Sequence, residues 1–341
     1  MRRQSPVPRQ RADAGAMEAA MEAHVQVLDI PAATRMFRDD VFRGLARPQK
    51  QLPCKHFYDA EGSRLFDAIC RLDEYYPTRT ETALLKAHGG EMAALIGAGA
   101  CLIEFGCGSL VKTRLLLDAL TAPALFVPID ISRHHLLREA AILNDEYPAL
   151  AVMPVVADFT RPLRLPEKAQ AAGRKRVVFF PGSTIGNFDR PAAGEFLARI
   201  AATAGKGGAL LIGVDLKKDE RTLVRAYDDR AGVTAAFNLN MLARINRELA
   251  GDFDLGQFRH RALYDRGQGR IEMHLVSRRD QTATVLGRQF RFRAGETIHT
   301  ENSYKYDVDE FAALAAGHGF AAERTWIDPA RLFSLIYLTV R

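Results

Sequence analysis

Leu102-Ile103-Glu104-Phe105-Gly106-Cys107-Gly108-Ser109 is the stretch on which the fold turns. The run ending at Phe105 reads as a buried strand, the glycines as a turn, and Lys112–Ala119 as an amphipathic helix. Glycines between a strand and a helix let a ligand approach the backbone and the helix amino terminus. They are equally ordinary turn chemistry. Val111 stands where a dinucleotide fingerprint has its third glycine, so the pyrophosphate-gripping version is not present.

Working outward, short apolar runs alternate with helical patterns, which is the signature of a parallel sheet with crossover helices. The strands expected are Leu102–Phe105, Phe126–Ile131, Ala151–Val156, Val177–Phe180 and Ala209–Val214. Lys112–Ala119, His135–Asp145 and Pro191–Ala204 are the helices between them. After Asp215 the pattern changes. Lys217–Leu249 reads as helices, and Arg270–Val276, Ala283–Val285 and Gln289–Arg293 as strands without crossovers, an α+β unit. A helix at Val308–His318, closed by Gly319, precedes two strands, Glu323–Ile327 and Phe333–Val340, that return to the first sheet. Met17–Arg79 is helical around an aromatic-rich centre and too poor in apolar surface to stand alone. The expected division is therefore a tail (1–16), a second domain in two pieces (17–79 and 217–304), and a sheet domain also in two pieces (80–216 and 305–341).

Composition narrows the class. The 341 residues are 48% hydrophobic, enough for one large or two packed domains and against disorder. No apolar run nears the roughly 20 residues that cross a bilayer, and no signal-peptide core opens the chain, so a cytoplasmic protein off the membrane is expected. Cys54, Cys70, Cys101 and Cys107 form no C-x-x-C pair, which argues against disulfides or a thiolate zinc site. The net charge of +6 is spread too thinly to imply nucleic acid. His134-His135 lacks the spacing of a metal pair, and no metal is expected.

Three strand ends carry polar groups in register. Asp130 closes the second strand about two dozen residues past Gly106, where a carboxylate can accept from both ribose hydroxyls. Asp158 at the third can meet an exocyclic amine and Phe159 can stack on a purine. Singly, such an Asp is as readily a helix cap. The missing phosphate grip and the antiparallel-looking last strand favour S-adenosylmethionine over a dinucleotide, with Gly106, Gly108, Lys112, Asp130, Asp158 and Phe159 as its contacts. Lys112 would pair with the donor's methionine carboxylate, or be a solvated surface lysine. The fold class expected is α/β, a class I (Rossmann-like) methyltransferase sheet with a second, discontinuous α+β domain.

Longer motifs carry a resemblance. Phe57-Tyr58-Asp59-Ala60-Glu61-Gly62-Ser63-Arg64-Leu65-Phe66-Asp67, Leu72-Asp73-Glu74-Tyr75-Tyr76-Pro77-Thr78-Arg79-Thr80-Glu81, Lys112-Thr113-Arg114-Leu115-Leu116, Phe179-Phe180-Pro181-Gly182-Ser183-Thr184-Ile185-Gly186-Asn187-Phe188 and Thr300-Glu301-Asn302-Ser303 are its core. From about Lys55 to the carboxyl terminus the chain resembles the histidine Nα-methyltransferases of ergothioneine biosynthesis. The resemblance implies three successive methylations of the histidine α-amine, giving hercynine. It implies that Tyr75, Asn187, Tyr227, Glu301 and Ser303 hold histidine, while Tyr58, Phe66, Gly182 and Met273 surround the reacting amine, with Tyr58 and Asn187 nearest the chemistry.

Those residue types suit the reaction. In-line displacement at a sulfonium methyl needs an oriented neutral amine and excluded water rather than a strong base. Asn187 and Tyr227 can donate to the substrate carboxylate, Glu301 can accept from the imidazole N–H, and Ser303 completes the pairing. Aromatic rings favour the growing quaternary ammonium. Cys107 stands where the family more often has serine, which would place a thiol near the donor, and Asn302 and Tyr304-Lys305-Tyr306 are bulkier than usual around Glu301. A related branch methylates tryptophan derivatives, and a non-catalytic nucleoside-binding module is the reading from another class. The expected partner is a small molecule, with the chain acting as a monomer.

Overall fold

A computed structural model describes residues 30–341 apart from 109, 173 and 174, with side chains described from Thr34 onward. The tail over 1–16, the first residues of the helical segment at 17–29, and Ser109 of the glycine turn lie outside the described residues. The chain begins with α1 (Ile30–Leu45), β1 (Lys50–Gln51), α2 (Ala60–Ile69) and α3 (Tyr76–Ile96). It continues through β2 (Cys101–Phe105), α4 (Val111–Ala119), β3 (Leu125–Asp130), α5 (Arg133–Glu146), β4 (Val155–Val156), α6 (Glu167–Ala171), β5 (Arg176–Phe180), α7 (Arg190–Ala204) and β6 (Ala209–Asp215). Then come α8 (Glu220–Tyr227), α9 (Val233–Glu248), β7 (Phe258–Asp265), β8 (Arg270–Ser277), β9 (Gln281–Val285), β10 (Arg288–Phe292) and β11 (Thr297–Tyr304). The last elements are α10 (Val308–Ala316), β12 (Phe320–Ile327) and β13 (Phe333–Val340).

Seven strands form one sheet in the order β12-β13-β6-β5-β2-β3-β4, and β13 alone runs antiparallel to its neighbours. Every residue of β2 and β6 is buried, as strands covered on both faces require. The strand order reverses at β2, between β5 and β3, so the carboxyl ends of these strands open the crevice where such sheets take ligands. This is the expected α/β methyltransferase sheet.

A smaller sheet, β1-β11-β8-β7, and the β9–β10 hairpin pack with α1, α2, α8 and α9. Their shared core runs from Phe37 and Phe57 to Met241 and Met273, joining segments far apart in sequence. Helix α3 passes residue 79 unbroken; it begins in this core at Tyr76 and ends against the large sheet with Met92 and Ile96.

Three expectations need correction. The strand expected at Ala151–Val156 shrinks to Val155–Val156 with an isolated bridge from Val152 to Phe126, because β4 is the sheet edge. The last helix stops at Ala316 and is capped by Gly317, two residues ahead of Gly319. Strand β1, inside the segment expected to be helical, and strands β7 and β11 are not among the strands expected. In β11 a bulge between His299 and Glu301 breaks the period-two alternation by which a strand is recognised in sequence. No helix among the described residues is long and apolar enough to cross a membrane.

Candidate active site at the sheet's carboxyl edge

The end expected to take the donor is built from strand termini. After β2 the chain turns with Gly106 at φ 71° and Gly108 at φ 47°, backbone that glycine adopts without strain. A Cβ on Gly106 would meet the Phe159 ring at 3.4 Å. Asp130 ends β3; its carboxylate accepts the Ser132 N–H at 2.8 Å, and burial pushes its pKa up despite that bond. Both glycines are exposed beside it. A carboxylate with unused lone pairs next to bare backbone fits a ribose diol, so the residues present suit an adenosyl donor. Cys107, by contrast, is buried, and burial pushes its thiol well above the ordinary range, so no reactive thiol faces the donor.

Two expected donor contacts carry partners from within the chain. Lys112 donates to Glu81 at 2.5 Å, and the fully buried Glu81 accepts the Gly182 N–H at 2.9 Å. Gly182 has φ 79° and a Cβ there would lie 3.4 Å from the Lys112 ammonium. A Cβ on Gly213 would come within 2.1 Å of Glu81 Oε1, so the glycine in β6 makes room for that carboxylate. Asp158 accepts the Thr160 N–H at 3.0 Å on one oxygen and the Lys55 ammonium at 3.1 Å on the other. Burial works against its charge, but Thr160 and Lys55 outweigh it and hold the carboxyl below its ordinary range. Lys55 also pairs with Asp40 at 3.1 Å. Phe159 lies half-buried over Phe105, with ring centroids 5.8 Å apart and planes 13° from parallel.

The end expected to take the substrate is a row of edge-on rings. Asp59 caps α2 through the Gly62 N–H at 2.7 Å and accepts from Asn240 of α9 at 2.8 Å, which fixes the preceding Tyr58. Tyr58 meets Phe66 at 5.6 Å, Phe66 meets Tyr75 at 6.2 Å, and Tyr75 meets Tyr227 at 6.1 Å, each near perpendicular. Phe237 of α9, which sequence reasoning missed, touches both Tyr58 and Phe66. Burial, and then the Glu301 carboxylate, push the Tyr58 phenol well above its usual range, with Asp130 adding to the effect. Tyr58 is thus a neutral O–H within the field of both ends of the site.

The bulge in β11 brings Glu301 onto the face of Met273, its cross-strand partner, and Ser303 onto the same face opposite Ile271. Burial raises the Glu301 pKa to about 7, against the pull of the Lys305 ammonium. Ser303 Oγ lies 2.8 Å from the Tyr227 hydroxyl. Asn302 and Tyr304 point to the other face, opposite Glu272 and Arg270, and do not crowd Glu301. Asn187 ends the turn after β5, half-buried, with Gly186 packed on the Tyr304 backbone. Of the expected residues, Tyr58, Phe66, Tyr75, Tyr227 and Met273 share the smaller core, Glu301 and Ser303 lie on its sheet, and Gly182 and Asn187 follow β5 of the large sheet.

Behind them lies a charge network that the sequence did not disclose. Lys305, fully buried, donates to Asp215 at 2.6 Å, Ser303 at 2.8 Å and Tyr227 at 3.1 Å. Lys218 donates to the other Asp215 oxygen at 2.6 Å, and the Tyr76 hydroxyl to the same carboxylate at 2.8 Å. Burial opposes the Lys305 charge, but Asp215 outweighs it and keeps the ammonium protonated. In the sequence Lys305 stands out only as a bulky neighbour of Glu301; its burial and its partners are not legible there. Among the described residues, Glu272, His274 and His299 form the one group with metal-ligating atoms within 4.8 Å. It sits on the opposite face of β8 and β11, where Arg270 and His274 already hold Glu272.

The model of the histidine-specific, S-adenosylmethionine-dependent methyltransferase family matches residues 37–340, nearly the whole described chain. The chain belongs to that family. It is 45% identical over 309 residues to the histidine N-alpha-methyltransferase of Mycolicibacterium smegmatis, covering 89% of this chain and 95% of that one. The Mycobacterium tuberculosis protein of the same name is 42% identical, covering 87% and 93%. Ergothioneine biosynthesis protein 1 of Neurospora crassa is 33% identical over 81% of this chain, which spans 32% of that longer protein.

Proposed function

We propose that this methyltransferase transfers methyl groups from S-adenosylmethionine to the α-amine of L-histidine, three in succession, giving Nα,Nα,Nα-trimethylhistidine (hercynine) for ergothioneine biosynthesis. Family membership and the mycobacterial relatives support the reaction class. The observation that carries the substrate is the pairing of Glu301 with Ser303 on one face of β11, at the end of an aromatic row that starts at Tyr58. A carboxylate acceptor beside a hydroxyl donor complements a neutral imidazole, which has one N–H and one lone pair. An indole has only the N–H.

The donor, held by Gly106, Gly108, Asp130 and Asp158, supplies an electrophilic methyl on a sulfonium. The chain's own part is positional. Asn187 and Tyr227 hold the histidine carboxylate, Glu301 and Ser303 hold the ring, and the amine is left at Tyr58, whose neutral hydroxyl accepts its N–H and steers its lone pair. Tyr58, Phe66 and Tyr75 exclude water and offer ring faces to the cation that forms. We read the small-sheet unit (17–79 and 217–304) as the recognition lobe and the large-sheet unit (80–216 and 305–341) as the donor lobe.

Incubating the protein with S-adenosylmethionine and a panel of amino acids, followed by mass spectrometry, tests this directly. Histidine should gain three methyl masses. Gain on another amino acid, such as a tryptophan derivative, would replace the substrate, and no gain at all would leave a nucleoside-binding module. Tyr58→Phe should shift the ratio of mono-, di- and trimethylated products; an unchanged ladder would remove Tyr58 from that role.

A further inference from the structure

We propose that Lys305 is a positioning residue for histidine recognition: by donating to both the Ser303 and the Tyr227 hydroxyls, it fixes the sense of the hydrogen bonds that read the imidazole ring. This deepens the reading above and rests on it. An ammonium has three N–H donors and no acceptor. All three are matched, to Asp215 Oδ2 at 2.6 Å, Ser303 Oγ at 2.8 Å and Tyr227 Oη at 3.1 Å. With no N–H to spare and no exposed surface, Lys305 acts only through its partners.

Its effect follows from counting protons. Each hydroxyl must accept from Lys305, so each keeps its own O–H to donate. The 2.8 Å contact between Ser303 and Tyr227 uses one of the two. With histidine bound, the Tyr227 O–H turns instead to the carboxylate, and the Ser303 O–H is left for the ring, on the face of β11 that also carries Glu301. A neutral imidazole whose N–H lies on the Glu301 carboxylate presents a lone pair at its other nitrogen, and the Ser303 O–H meets it. Without Lys305, each hydroxyl is free to turn a lone pair toward the substrate, where two acceptors would face each other. Asp215, at the end of β6 and anchored by Lys218 and Tyr76, holds the ammonium in place and ties this proton pattern to the donor-side sheet.

The test compares Lys305→Met in two backgrounds, the native chain and Ser303→Ala/Tyr227→Phe. Lys305→Met/Asp215→Asn serves alongside, since it does not strand a buried carboxylate and keeps an acceptor for Tyr76 and Lys218. For each, kcat and KM for histidine are measured, with S-adenosylhomocysteine affinity by calorimetry. In the native background the histidine KM should rise about tenfold or more, with S-adenosylhomocysteine affinity within about twofold. In the hydroxyl-less background the same change should move KM by less than about twofold. An equal rise in both backgrounds would make Lys305 merely structural and overturn the proposal. So would an unchanged KM in the native background while Ser303→Ala/Tyr227→Phe impairs binding, which would leave the reading of the site standing. If Ser303→Ala/Tyr227→Phe itself leaves KM unchanged, the reading of those contacts fails, and the proposal with it.

Discussion

At the donor end of the site the charged side chains are tied by lysines that water can reach: Lys112 on Glu81 and Lys55 on Asp158 have side chains 19% and 20% exposed. At the substrate end, Lys305 and Asp215 are 0% and 1% exposed and every N–H of the lysine is spoken for. The difference separates two tasks. A pair whose lysine water can reach is held less tightly than one buried on both sides, so a ligand's own charges can replace a partner at lower cost. A buried pair is costly to break, by about 3–5 kcal/mol, so its geometry and hydrogen-bond sense persist whether or not ligand is present. On the reading proposed above, the donor end is suited to exchange and the substrate end to discrimination.

The largest effect expected from this contrast is on Glu301. Glu301→Ala removes the acceptor that the buried end is organised to present, and kcat/KM for histidine should fall about 100-fold, as for a lost charged hydrogen bond in a desolvated site. Donor affinity, governed by the other end, should stay unchanged. Steady-state kinetics with calorimetric titration of S-adenosylhomocysteine checks both; a matching loss of donor affinity would erase the separation.

The same contrast decides what was legible in the sequence. The donor end follows from local signals, because Gly106, Asp130 and Asp158 each end an apolar run and the parallel sheet sets those ends side by side. The substrate end has no such frame. Tyr58, Tyr75, Tyr227 and Glu301 lie on separate segments that meet only through the second core, and the strand bearing Glu301 and Ser303 was unrecognised because its bulge breaks the alternation. Those residues entered through the family resemblance rather than through spacing. The buried pairings of Glu81 and Lys305 escaped both routes, since a buried charge looks in sequence like any surface charge and only its partner shows otherwise.

Lys112→Met probes the donor end at its least exposed point. It strands Glu81, whose side chain is fully buried, and stability should drop by about 2 kcal/mol, less than in a fully buried pair because Lys112 itself is partly hydrated. Urea unfolding measures it; no loss would mean that Glu81 is held by the Gly182 N–H alone. A graded effect follows from Glu301. Its carboxyl titrates near 7 in the folded chain against 4.5 in the unfolded one, so the folded state keeps a proton that the unfolded state releases. Its contribution is therefore neutral below about 4.5 and turns increasingly unfavourable as pH rises to about 7. Glu301→Gln should match the native chain in thermal stability near about pH 4 and exceed it at about pH 8 without ligand. Histidine binding should show the opposite trend, strengthening as the carboxylate forms, and a parallel thermal profile for the two proteins would mean that Glu301 is better hydrated than its surroundings imply.

Lys55→Met should do least. Asp158 retains the Thr160 N–H and hydroxyl, and each of its oxygens has a second lone pair, so losing Lys55 removes one of several partners at a position that water reaches. Stability should change by less than about 1 kcal/mol and donor affinity by less than about threefold, read by thermal shift and calorimetry. Asp40, which shares Lys55, keeps His56 at 3.0 Å and so is not left bare. Were Lys55→Met to abolish donor binding, the lysine would have to be a fixed member of the adenine site, and the donor end would be built on the same locked principle as the histidine end.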